Sequence, residues 1–328
     1  MRNKLIPLAF GTTLFALCFP AHAQKPRKVP RVGLLASGSS ATDAPRMEAF
    51  RQGLRELGYV ENQNIVIEYR YAEGKTERFP DLAAELVHLK VDAIVAAGAT
   101  ATRAAKKITT LIPIIMSNVT DPVELGLVTS LAHPGGNITG LTNLAPEVGG
   151  KRLELLKETV PNLSRVAVLG DPTSPSHAIG WRETESAAKS LGVQVQSLEV
   201  RPPNPDFEGA FAAIARDHSN ALLTLSQPLI VVHRKQIVEL TTKRRIPAIF
   251  HTEDFIEAGG LMSYAPNIAA MFRRSATYVD KILKGTKPTD LPVEQPTKFE
   301  FIINLKTAKQ IGLTLPPNVL TRADKVIK

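Results

Sequence analysis

Six short segments carry the residues whose chemistry suits capture of a small anion: residues 37–40, 98–100, 118–121, 170–174, 226–227 and 251–254. Ser37, Gly38 and Ser39, then Gly98, Ala99 and Thr100, then Thr120 form one set of polar, glycine-bearing turns. Gly170, Asp171 and Thr173, then Gln227, then His251 and Asp254 form a second. Hydroxyls beside the free backbone N–H groups of a helix start hold a carboxylate well. Each residue taken singly reads equally as a helix cap or a turn. Taken together, at equivalent positions after apolar runs, they read as a pocket. Asp121 stands before Pro122 and has two readings. Capping of a following helix is favoured over contact with a ligand ammonium.

Other chemistries lack their residues. The one cysteine, Cys18, lies near the N-terminus, so the chain beyond it has no thiol, disulfide or cysteine-ligated metal. No Gly-x-Gly-x-x-Gly, Gly-x-Ser-x-Gly, phosphate-loop lysine or His-Glu-x-x-His occurs. The run His251-Thr252-Glu253-Asp254 has acid–base and metal-binding types, but a metal site draws on more ligands and the histidines are widely scattered. The reading is therefore a binding protein with no catalytic residue, metal or cofactor, and an exported hydrolase is the lesser alternative.

Alternating strands and helices must position these segments. Residues 32–36, 65–70, 92–96 and 113–116 are apolar, β-branched runs, with helical patterns over 47–57, 79–89 and 100–107. Thr100 is expected to cap the third of these helices, and Pro122 to open a fourth. The alternation restarts with strands at 166–169, 193–200, 221–225, 247–250 and 260–264. Helices are expected over 176–191, 207–216, 229–243 and 268–283. Such alternation implies parallel sheets covered on both faces. The fold class is α/β, with two doubly wound parallel-sheet lobes over residues 31–142 and 143–266. Residues 267–328 cross back between them. Ligands bind beyond the carboxyl ends of such strands, so facing lobes enclose a cleft.

The first 23 residues read as a secretory signal: Arg2 and Lys4, an apolar run from Leu5 to Phe19, then Ala21-His22-Ala23, with cleavage after Ala23. The apolar run falls short of the about 20 residues that span a bilayer. Lipidation at Cys18 is disfavoured because Leu17 precedes it. Residues 24–30 form a basic, proline-containing leader. The formal charge of +9 is scattered over short clusters without interleaved aromatics, which argues against nucleic acid.

Three motifs carry a resemblance. Ser117-Asn118-Val119-Thr120-Asp121-Pro122-Val123-Glu124-Leu125-Gly126-Leu127-Val128 resembles a V-x-D-P-V-x-x-G-L-V signature, and Glu257-Ala258-Gly259-Gly260-Leu261-Met262-Ser263-Tyr264 an E-x-G-G-L-x-S-Y element. Leu291-Pro292-Val293-Glu294-Gln295-Pro296-Thr297 with the residues after it is similar to the C-terminal element of the same family. That family is the ABC-transporter substrate-binding proteins that include tryptophan and tyrosine receptors. The resemblance spans nearly all of the exported chain. It implies a type I periplasmic-binding fold, a periplasmic monomer, a membrane permease as partner, and a small-molecule ligand captured by lobe closure. It places the first set of turns on one side of the cleft and the second set on the other. A carboxylate-bearing, amino-acid-like ligand is expected. Tryptophan is not carried over, since only Phe250, Phe255, Tyr264 and Tyr71 lie near strand ends, and Trp181 is either a pocket wall or core. A receptor feeding a membrane signalling protein would share the same fold.

Overall fold

The computed structural model describes residues 29–143 and 146–328, without the side chains of residues 146 and 147. The expected export signal and most of the expected basic leader lie outside the described residues. The first lobe is built from β1 (Arg31–Ala36), α1 (Ala44–Glu56), β2 (Val66–Tyr71), α2 (Phe79–His88), β3 (Ala93–Ala97), α3 (Gly98–Ile108), β4 (Ile114–Val119) and β5 (Ile138–Thr142). The second contains α4 (Pro146–Thr159), β6 (Arg165–Gly170), α5 (His177–Leu191), β7 (Gln194–Glu199), α6 (Phe207–Arg216), β8 (Ala221–Thr224), α7 (Pro228–Val232), α8 (Arg234–Lys243), β9 (Ala248–Phe250), α9 (Asp254–Glu257) and β10 (Met262–Pro266). The chain ends with α10 (Ile268–Leu283), β11 (Phe299–Asn304), α11 (Leu305–Ile311), α12 (Pro317–Thr321) and β12 (Lys325–Ile327).

The first sheet runs β2-β1-β3-β4-β5 and is parallel throughout. The second runs β12-β11-β10-β9-β8-β6-β7. Both are covered on two faces, as continuous apolar strands require. In β1, Val32 and Leu34 join the core under α1 and α10, and Leu35 joins the core under α2 and α3. In β6, Val166 and Val168 face one core while Ala167 and Leu169 face the other.

The C-terminal segment divides between the lobes. α10 packs on α1, where Gly53 permits close approach: a Cβ there would stand 2.3 Å from the Arg273 carbonyl oxygen. Tyr59 donates to Asp280 at 3.0 Å across the same contact. The chain then runs beside β5, with Thr142 N–H donating to the Glu294 carbonyl at 3.0 Å. It returns to the second sheet as β11, which is antiparallel to β10. This departs from a purely parallel sheet for a geometric reason. β10 leaves its sheet at the cleft end, and β11 re-enters from that end, pairing Pro266 with Phe299. The lobes are thus joined between Thr142 and Pro146, between Pro266 and Ile268, and between Glu294 and Phe299.

Three local expectations change. Residues 121–127 form turns instead of a helix. Asp121 Oδ1 accepts the N–H groups of Val123 and Glu124 at 3.0 and 2.9 Å, and Gly126 at φ +64° closes the segment. Thr100 sits inside α3, because Gly98 at φ +85° turns the chain from β3 straight into the helix. The helix expected over 229–243 breaks at His233 into α7 and α8, with the His233 ring held 5.1 Å from Phe207.

Candidate functional site

The carboxyl ends of the two sheets face each other across a narrow cleft with two adjoining compartments. Thr120, Ser176 and Ser226 line both. Together with the open solvent they reach into, the compartments amount to about 550 and 570 Å³. The larger takes Ser37, Gly98, Ala99, Thr100 and Asn118 from the first lobe, and Ser174, Gln227 and Thr252 from the second. Of the residues singled out in the sequence, Ser37, Gly98, Ala99, Thr100, Thr120 and Gln227 therefore meet in one place.

The others are engaged within their own lobes or between them. Gly38 N–H donates to Asp43 at 3.0 Å, and Ser39 closes a turn with Thr42. Asp121 holds the turn described above. Gly170 is packed closely, since a Cβ there would stand 2.9 Å from His177 Nδ1. Asp171 Oδ1 accepts from the N–H and the hydroxyl of Thr173 at 2.8 and 2.7 Å. Gln227 lines the cleft, but its Oε1 accepts from Asp171 N–H at 2.5 Å, so part of its amide is already used. His251 is buried, with Nδ1 2.8 Å from the Thr224 hydroxyl. Burial, then the charges of Arg152 and Arg46, push its imidazole well below the usual range and keep it neutral. The aromatic residues noted near strand ends, and Trp181, do not line the two compartments. Phe250 and Phe255 stack at 4.5 Å in the core, Tyr264 stacks on Phe299, and Trp181 packs against the second-lobe core. Among the described residues, Phe272 of α10 is the aromatic that lines these compartments.

Sequence reasoning missed two arginines. Arg46, in the first turn of α1, lines the larger compartment. It donates to Asp43 at 3.0 Å and, across the cleft, to Asp254 of the second lobe. The Thr252 hydroxyl also donates to Asp254, at 2.6 Å. Burial opposes the Arg46 charge, yet Asp254 and Asp43 together outweigh burial and raise its pKa. Burial likewise raises the Asp43 carboxyl, partly offset by Arg46. Asp254 is thus a tie between lobes. A basic residue in a helix's first turn opposes the macrodipole, and that was the one local signal for Arg46.

Arg152 of α4 lines the smaller compartment beside Asn143, Gly149, Gly180, Glu183 and Thr184. Its Nε donates to the Tyr264 carbonyl at 2.8 Å. Burial lowers its pKa to about 10, against the raising influence of Glu183, so it stays charged at neutral pH. Burial pushes the Glu183 carboxyl up to about 7; Arg182 opposes this, and Asp121 and Glu124 reinforce it. Nothing in the local sequence marks either residue, because each lies in an ordinary amphipathic helix.

No group of three or more His, Cys, Asp or Glu able to hold a metal occurs among the described residues. No helix among them is long and apolar enough to cross a membrane.

Comparison with known proteins agrees with this architecture. The chain is 26% identical over 266 residues to a tyrosine-binding protein of Clostridioides difficile (strain R20291), covering 81% of this chain and 76% of that one. It superposes on an ABC domain in complex with L-Trp from Streptococcus pneumonia with a TM-score of 0.84 and 25% identity, over 91% of this chain and 99% of that one. A leucine-binding protein of Thermotoga maritima shares the fold at a TM-score of 0.53 and 18% identity, over 80% and 78% of the two chains. The fold is the type I periplasmic-binding fold. The family model described as ABC transporter substrate binding protein matches residues 38–327. With two wound sheets, their facing strand ends and that match over nearly its whole length, the chain belongs to the ABC transporter substrate-binding protein family.

Proposed function

We propose that this protein is the extracytoplasmic receptor of an ABC importer and captures a small, carboxylate-bearing, amino-acid-like ligand between its lobes. The observation that carries this reading is the cleft itself. Hydroxyl groups of Ser37, Thr100 and Thr120 come from one sheet's strand ends, and those of Ser174, Ser176 and Ser226 from the other's. A ligand that bridges both sets gains contacts only in the closed form, and so shifts the lobes toward closure. The amino-acid class is supported by the similarity to tyrosine- and tryptophan-binding relatives. The closed receptor then docks on a membrane permease. It works as a monomer, after cleavage following Ala23, and without chemical change to its ligand.

The test is calorimetry and thermal shift on residues 24–328, unfolded and refolded to strip carried-over ligand. Ligand at 100 times its dissociation constant is expected to stabilise the protein by about 2.7 kcal/mol. Recovery of the ligand unaltered separates a receptor from a hydrolase. Silence across the L-amino acids would remove the ligand class. N-terminal sequencing of exported protein is expected to begin at Gln24.

A further inference from the structure

Three groups facing the smaller compartment have hydrogen-bonding or charge capacity that the protein leaves unused. Arg152 makes one hydrogen bond, through Nε, to the Tyr264 carbonyl. No carboxylate pairs with it among the described residues, and its two terminal nitrogens have no protein partner there. Glu183 also lines this space, with no hydrogen bond or ion pair to a described residue. Its neighbour Arg182 is turned to Glu124 instead, at 2.5 Å. Asn143 donates through Nδ2 to Asn118 at 2.7 Å, but its Oδ1 is buried and has no partner. A partly buried cation without a counter-charge is costly, and so is a buried acceptor without a donor. Here both occur in one cavity with a half-buried carboxylate that is close enough to influence Arg152, yet not paired with it.

We propose that Arg152, Glu183 and Asn143 form the receptor for a zwitterionic head group: Arg152 takes the α-carboxylate, and Glu183 with Asn143 Oδ1 takes the α-ammonium. This rests on the amino-acid reading above and specifies which of its atoms are recognised. The alternatives fit the charges less well. A neutral sugar leaves both charges unpaired. A simple carboxylate satisfies Arg152 but brings its charge toward Glu183, which already faces Asp121 and Glu124. An amine alone leaves Arg152 uncompensated. Only a group carrying both signs satisfies all three residues, and the ligand side chain is then left to the larger compartment. The charged groups facing Glu183 are Arg182 on its own helix, Asp121 and Glu124 after β4, and Arg152 on α4.

The experiment compares wild type, Glu183→Gln, Arg152→Met and Arg152→Lys by titration calorimetry on refolded residues 24–328. The probes are the L-amino acid that wild type binds most tightly, its deaminated acid and its decarboxylated amine. Wild type is expected to prefer the amino acid to both analogues. Glu183→Gln is expected to weaken the amino acid by roughly thirtyfold or more while changing the deaminated acid by less than about threefold. Arg152→Met is expected to weaken both acids, and Arg152→Lys to retain part of the affinity. Wild-type affinity is expected to rise with pH up to about 7, where Glu183 of the ligand-free protein ionises, and to level off above it, and Glu183→Gln is expected to lose that rise. Glu183→Gln reports on the site even if Arg152→Met fails to fold. Amino-acid binding that is unchanged in both variants, or a deaminated acid as tight as its parent, overturns this head-group assignment and leaves the receptor reading standing. Wild type that binds no amino acid overturns the receptor reading itself.

Discussion

The two compartments of the cleft each hold a partly buried arginine, and the two are treated in opposite ways. Arg46 is held by Asp43 from its own helix's entry and by Asp254 from the facing lobe. Among the described residues Arg152 has a single carbonyl partner and no carboxylate. The first is a structural tie whose charge the protein balances for itself, although its Nε is buried without a partner. The second is incomplete until something else arrives. A charged residue at a binding cleft is therefore informative through its missing partners more than through its presence. Asp254 shows the same point from the acidic side: it stands where a ligand contact was expected, and the opposite lobe's arginine occupies it.

The sharpest break of this contrast is to remove each guanidinium in turn. Arg46→Met leaves Asp43 and Asp254 without their cation, and breaking a buried pair from one side costs about 3–5 kcal/mol. Urea unfolding of the ligand-free protein is expected to show a loss of that size. Arg152→Met removes a cation with no counter-charge, so the same measurement is expected to show unfolding stability held or slightly raised. Equal destabilisation by the two substitutions would erase the distinction.

Asp254→Asn tests the tie across the lobes without removing the cation. A hydrogen bond to a charged group contributes about 1.5–3 kcal/mol. The closed form is expected to weaken accordingly, with small-angle scattering showing a larger ligand-free particle and stopped-flow showing faster ligand release. Asp254→Glu is expected to restore part of the effect. An unchanged scattering profile would mean that Arg46 and Asp254 do not hold the lobes together.

A smaller effect follows from pH. Burial raises the Glu183 carboxyl from an ordinary value to about 7. A folded-state pKa above the unfolded one favours the folded protein while the group is protonated. The benefit is full below the unfolded pKa, near 4.5, and is lost as pH rises through about 7. Because Glu183 is only half-buried, solvent screening reduces the expected loss to about 1 kcal/mol. Glu183→Gln should therefore match wild-type stability near pH 4 and exceed it near pH 8, as urea unfolding at both pH values would show. In the liganded protein an ammonium beside Glu183 favours the ionised form, which opposes this trend.

The smallest effect is expected at the cleft's outer edge. Arg182 and Glu124 also join the lobes, at 2.5 Å, but both side chains are exposed. Glu124→Gln is expected to leave unfolding stability unchanged, with any change in ligand release vanishing in added salt. A salt-resistant effect as large as that of Asp254→Asn would remove the difference between buried and exposed ties.

Much of the scaffold was legible because it follows from short-range periodicity. Apolar runs such as residues 32–36 and 166–169, each followed by a polar turn and a helix, identified parallel strands and the ends from which a ligand would be reached. Ser37, Gly98, Thr100 and Thr120 were placed at the cleft in this way, since a residue just after a parallel strand must lie at the sheet's carboxyl edge. The turn at 121–127 was read as a helix because Pro122 suits a first helical turn; the Asp121 side chain instead satisfies the turn's own N–H groups. The break at His233 was hidden because the apolar spacing on its two sides looks continuous.

The amino-acid order alone determined the alternation of strands and helices, the two series and the turns at their strand ends, because each depends on neighbours a few residues apart. Only the tertiary structure decided which polar groups remain unsatisfied. Arg46 meets Asp254 across 208 positions, and Arg152 meets Tyr264 across 112. Whether a buried charge has a partner depends on how distant helices and lobes come together in space, and no local pattern encodes that.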